Sequence, residues 1–180
     1  MATTQGSRFT KYNRPMIILA VGAVIYAALW GLRQLITGPN LLDIAIRPDV
    51  VVPIFCGLIW GPMIGVGVGI LGSFLGDFII PGLPFPFYWD IAAGLLGLVA
   101  KLPPLTTQKR YRWRDYLVAE GWTVLAIVVS LLFITLMQVV FEGLTNAGPA
   151  IFWPVLKSNL ANGLILIPLL LWLYQRFGRR

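Results

Sequence analysis

The chain has 180 residues, of which 58% are hydrophobic and only 12% charged. A soluble domain carries about 25% charged residues, so this composition defines an integral membrane protein, and its long unbroken apolar runs exclude the alternating ten-residue segments of a transmembrane barrel. The net charge of +7 is read as the basic loops of a membrane protein and not as a nucleic-acid footprint.

At about 20 residues per crossing, the chain has room for roughly six helices in one domain. Residues 1–14 form a short basic tail, read as cytoplasmic. Helix 1 is expected over Pro15 to Ile36, with Pro15 in the first turn. Ala23, Ala27 and Gly31 recur at four-residue spacing and make a small-residue face. Two uses are open for it: packing inside the protein, or docking on a second membrane protein. Arg33, near the far end, has the length to snorkel to headgroups.

Residues 37–48 read as an outer loop. Leu41, Leu42, Ile44 and Ile46 alternate with polar residues, which suits a lid folded over the protein better than a solvated loop. Asp43, Arg47 and Asp49 have the charges to pair with one another.

Helix 2 is expected over Asp49 to Trp60 and helix 3 over Met63 to Ile80. One continuous helix from Val50 would be about 46 Å long, too long for a core of about 30 Å. A turn at Gly61-Pro62 resolves this. After it, Gly65, Gly69, Ser73 and Asp77 fall on one helix face, which lets another backbone approach closely. Helix 4, over Tyr88 to Leu102, opens on Tyr88-Trp89, an interfacial aromatic pair by the ordinary reading, and on Asp90, a candidate cap. Ala93 and Gly97 form a second close-packing pair. A basic loop follows over 103–115. Helix 5 is expected over Tyr116 to Phe141 and helix 6 over Phe152 to Tyr174.

Six helices put both termini on one side. That side collects Arg8, Lys11, Arg14, Lys101, Lys109, Arg110, Arg112, Arg114, Arg176, Arg179 and Arg180, leaving Arg33, Arg47 and Lys157 elsewhere. This asymmetry makes the shared side cytoplasmic. Polar residues of the spans then gather in the outer half: Asp77, Asp90, Gln138, Glu142, Lys157, Ser158, Asn159 and Asn162. The pattern is a cup open outward and closed below. A channel needs polar groups through its full depth, and an ion carrier needs ionisable groups near the midplane.

No HExxH, GxSxG or GK[ST] loop occurs, and the absence of histidine removes His-based metal ligation and general-base catalysis. The chain reads as a non-enzyme with no metal site and no cofactor of its own. Cys56, the single cysteine, reads as a small packing residue.

The block Arg47-Pro48, Gly61-Pro62, Gly65, Gly69, Gly76-Asp77, followed by Asp90 and Gly94 with Gly97, together with the Ala-xxx-Ala of helix 1, resembles the S components of energy-coupling factor (ECF) vitamin transporters. The resemblance covers nearly the whole chain. It implies a high-affinity substrate-capture subunit in a prokaryotic cell membrane. Such a subunit docks on a transmembrane coupling subunit that carries two cytoplasmic ATPases, which use ATP and Mg. By that analogy Trp89, Asp90, Gln138, Glu142, Lys157, Asn159 and Asn162 are candidate substrate contacts. The lid lies near Asp43 to Arg47, and Ala23, Ala27 and Gly31 become the docking face. The walls mix both charge signs with amides and aromatics, so a large neutral or zwitterionic vitamin is expected. Cobalamin is placed first, with riboflavin, biotin, pantothenate and a queuosine precursor behind it. The competing readings are a stand-alone small-solute carrier and a membrane scaffold without a small-molecule ligand.

Overall fold

The computed structural model describes residues 5–37, 47–79, 87–100, 111–143 and 149–178. They form an all-α membrane bundle of six helices: α1 Gln5–Thr37, α2 Val51–Trp60, α3 Pro62–Ile79, α4 Tyr88–Val99, α5 Trp113–Glu142 and α6 Pro149–Phe177, with a 3₁₀ turn at Pro48–Val50 leading into α2. Four helices are long and apolar enough to cross a membrane, over Arg14–Arg33, Pro62–Ile79, Trp113–Phe141 and Phe152–Phe177, and α2 and α4 are shorter apolar helices. The lid segment 38–46 and the basic segment 101–110 lie outside the described residues.

The boundaries differ from expectation mainly at helix starts. α1 begins at Gln5, so Pro15 lies inside it. The hydrogen bond that proline removes falls at the start of the apolar span Arg14–Arg33. α5 begins at Trp113 because the Arg112 backbone N–H donates to the Asp115 carboxylate at 2.6 Å, a reciprocal cap for an otherwise orphaned first turn.

The break between α2 and α3 falls on Gly61, whose φ of 101° lies in the left-handed region that glycine enters without steric cost. The Gly61 N–H bonds the Gly57 carbonyl at 3.1 Å, closing α2. α2 then sits at the centre of the bundle and touches each of the other five helices. Seven of its ten residues are buried, Cys56 among them.

α3 is packed on two sides. Toward α4, the four-residue stripe forms an antiparallel ladder. A methyl group on Gly65 would sit 2.7 Å from the Gly97 Cα, and one on Gly69 would lie inside the Ala93 carbonyl. One step along, Ser73 faces Asp90. Toward α1, glycines meet rings: Gly72 faces Tyr26 and Gly76 faces Trp30. Both contacts need small residues on α3 because the helices stand closer than ordinary side chains permit.

Candidate functional site

The α1–α3 seam decides between the two uses of the small-residue face. Ala23 is 2% exposed and Ala27 is 5% exposed, and Gly31 is buried against Ile79 of α3. These three residues therefore pack inside the chain. The side of α1 left to lipid is the neighbouring line through Ala20, Val24 and Ala28.

The outer end of that seam carries charge. Asp49, in the 3₁₀ turn, has no exposed surface and stands between Arg33 at 3.9 Å and Arg47 at 3.8 Å. Arg33 reaches back to this carboxylate, and its guanidinium lies 5.7 Å from the Trp30 ring centroid, so it does not snorkel outward. The pairing of Arg47 with Asp49 is as expected, whereas Asp43 lies outside the described residues.

Beside this cluster is a cavity of about 30 Å³, bounded by Tyr26 of α1, Arg47, Trp89 of α4, Ser130 of α5 and Asn159 of α6. Its walls come from α1, the 3₁₀ turn with Arg47, α4, α5 and α6. Two of the expected contacts, Trp89 and Asn159, come together here with the expected lid residue Arg47. The Ser130 hydroxyl donates to the Ala92 carbonyl at 2.8 Å and ties α5 to α4. Asn159 is 4% exposed, and its Oδ1 has no hydrogen-bond partner among the described residues.

The other expected contacts go elsewhere. Lys157 is exposed on the outside of α6. Successive helical residues turn by about 100°, so Lys157 and Asn159 point to nearly opposite sides and cannot both face inward. Asn162 is half-buried and donates to the Ser158 carbonyl at 2.8 Å, so the partner required at that depth is its own helix. Asp90 belongs to the α3–α4 ladder and makes no side-chain cap for α4. Gln138 is buried, about one turn outward of the cavity residue Ile134, and the side chain of Glu142 lies outside the described residues. Tyr88, expected at the interface, is 1% exposed and stacks on Phe141 at 6.1 Å.

Tyr26 and Ser130 were missed by the sequence reading. Each is one mildly polar residue inside an apolar run, and only the packing of neighbouring helices turns them toward a common space.

A larger cavity of about 360 Å³ lies between α1, α2 and α6, lined by residues such as Val21, Ile25, Phe55, Cys56 and Leu166. It has the volume of a small-molecule pocket but lacks the few convergent polar groups that orient a ligand.

The fold defines a multi-pass, all-α membrane protein. The sequence profile of the ECF-type riboflavin transporter S component matches residues 12–178. The chain belongs to that family, whose members are substrate-binding subunits of prokaryotic cell-membrane transporters and not enzymes. Among similar proteins, the UPF0397 protein of Lactobacillus gasseri is 33% identical over 92 residues, covering 49% of this chain and 46% of its own length. That of Aliivibrio salmonicida is 25% identical over 97 residues, covering 54% of this chain and 51% of the relative. That of Phytoplasma australiense is 28% identical over 83 residues, covering 46% and 41%. The chain spans about half the length of the first of these relatives. No solved structure matches.

Proposed function

We propose that this chain is the substrate-capture subunit of an ECF-type importer, taking a vitamin from outside into the space between α1, α4, α5 and α6. The observation that carries the reading is the cavity where Arg47, Trp89 and Asn159 converge in a chain that belongs to the S components. Ligand pockets occupy roughly 300–1,000 Å³, so a cavity of about 30 Å³ requires the parts of α4 to α6 that line it to move apart on binding. A flat ring needs less separation than a corrin. For that reason, and because the matching family is described by riboflavin, riboflavin is placed ahead of cobalamin.

The energy source is a partner: a transmembrane coupling subunit with two cytoplasmic ATPases. With Ala23, Ala27 and Gly31 packed against α3, docking falls to the exposed line of Ala20, Val24 and Ala28 and the adjoining surface of α3. That surface is free of charge from Met16 to Leu32 on α1, as a subunit reorienting in lipid needs.

Calorimetry of the purified chain against a vitamin panel led by riboflavin and cobalamin tests the reading. One-to-one binding of one compound is expected. A folded, monodisperse protein that binds nothing in the panel would sink it.

A further inference from the structure

The cavity of about 360 Å³ between α1, α2 and α6 shares no lining residue with the one at Arg47 and Asn159. Its floor is α2, at Val52, Phe55 and Cys56, and none of its lining residues is charged. Val21 and Ile25 of α1 and Leu169 of α6 line it and are also exposed. All three lie within membrane-spanning stretches, so the cavity is a groove that opens sideways into hydrocarbon.

Its shape decides what fits. Along α1 the groove runs from Ile18 to Leu29, about 16 Å at 1.5 Å per residue. A volume of about 360 Å³ over that length is a mean cross-section of roughly 22 Å². An α-helix is about 10–12 Å across with its side chains, so a partner's helix is too wide, whereas one extended hydrocarbon tail fits. An apolar cavity stays dry, and left empty it deprives its lining of van der Waals contacts. A lipid tail from the bilayer restores them.

The tail alone selects no lipid, because all tails are alike in polarity, so selection falls to the mouth of the groove. Arg14 precedes Ile18 by four residues and Val21 by seven, which puts it on the groove stripe of α1. Arg176 follows Leu169 by seven residues, on the groove stripe of α6. Both arginines are exposed, and they sit at the ends of their spans that share the side of the termini. Neither is ion-paired among the described residues. The Arg176 guanidinium lies over the Trp172 ring, 5.3 Å from its centroid, which holds it at the interface.

We propose that the groove binds one anionic phospholipid of the leaflet on the side of the termini, its tail laid along α2 and its phosphate between Arg14 and Arg176. A zwitterionic headgroup carries its own cation to the same place and gains less from the two arginines. The bound tail covers the side of α2 that α1 and α6 leave open. This inference goes beyond the capture reading and does not depend on it.

The test uses the full chain in a non-ionic detergent, stripped of lipid and then given equal amounts of phosphatidylglycerol and phosphatidylcholine with the same tails. Native mass spectrometry reads the lipid retained per chain. One phosphatidylglycerol is expected, retained about 30-fold over phosphatidylcholine, as two basic side chains beside an anionic lipid imply. Arg14→Gln combined with Arg176→Gln should abolish the preference. Val21→Trp, which fills the groove from its rim, should release both lipids. Equal retention of the two lipids by the wild type overturns the proposal, as does a preference that survives in the double arginine variant. Phosphatidylglycerol held as firmly by Val21→Trp overturns it too, and a lipid-free dimer would assign the groove to a second copy of the chain instead. Should Val21→Trp fail to fold, the wild type and the double arginine variant decide. Vitamin binding is not a readout, so failure of the capture reading leaves this result standing.

Discussion

The two faces of α3 use the same residue type in different ways. Toward α4, Gly65 and Gly69 meet backbone, at Gly97 and Ala93. Toward α1, Gly72 meets the Cβ and ring of Tyr26, and Gly76 meets the ring of Trp30. Backbone cannot step aside without moving a helix, whereas a ring can shift by a rotamer or a few tenths of an ångström. The α4 seam is thus the rigid one. The α1 seam is adjustable where Gly76 meets Trp30 and held beyond that by Arg33 on Asp49.

Substitutions that separate these seams should rank accordingly. Gly97→Leu places a branched side chain inside the Gly65 backbone and is expected to leave no folded, monodisperse protein by size-exclusion chromatography. The milder Gly97→Ala should cost about 3 kcal/mol, the upper end of over-packing penalties, read as a fall in thermal midpoint. Replacing Asp49 by Leu removes the carboxylate between two guanidiniums and should cost roughly 3 kcal/mol, the lower end of the range for breaking a buried pair, because both contacts are long. A stability unchanged in Asp49→Leu would remove the clasp from the comparison.

Gly76→Ala faces Trp30 at 3.1 Å and gains helix propensity over glycine, so a net change within about 1 kcal/mol is expected. A loss matching that of Gly97→Ala would show that the two faces are equally rigid. Lys157→Leu touches neither seam nor the cavity. It should change stability by no more than about 0.5 kcal/mol and leave ligand affinity within twofold.

Much of this arrangement was legible in the chain. The ladder of Gly65, Gly69 and Ser73 follows from four-residue spacing, and its partners Ala93 and Gly97 were visible as a second pair. The Gly61-Pro62 break follows from length against bilayer thickness. The outer gathering of polar residues follows from counting basic residues by side. Periodicity states which residues share a face but not what that face meets, so Ala23, Ala27 and Gly31 suited a partner as well as α3. The cup was over-populated for a related reason. Depth along a helix was read without rotation about it, which admitted Lys157 alongside Asn159. Asp90 and Asn162 were assigned outward because their local partners, Ser73 and the Ser158 carbonyl, are apparent only when the helices or their own turns are built.

The position of α2 bears on how the protein is made. With ten residues it is about 15 Å long, half the hydrocarbon thickness, so it presents a weak signal for membrane insertion by itself. Gly61 joins it directly to the full-length α3, and the two are expected to enter the bilayer as one hairpin. Because α2 touches every other helix, a ribosome that has not yet released α4 to α6 holds a central helix with most of its surface uncovered. During that interval the nascent chain depends on lipid, or on an insertion chaperone, to shield a segment that the finished protein buries almost completely.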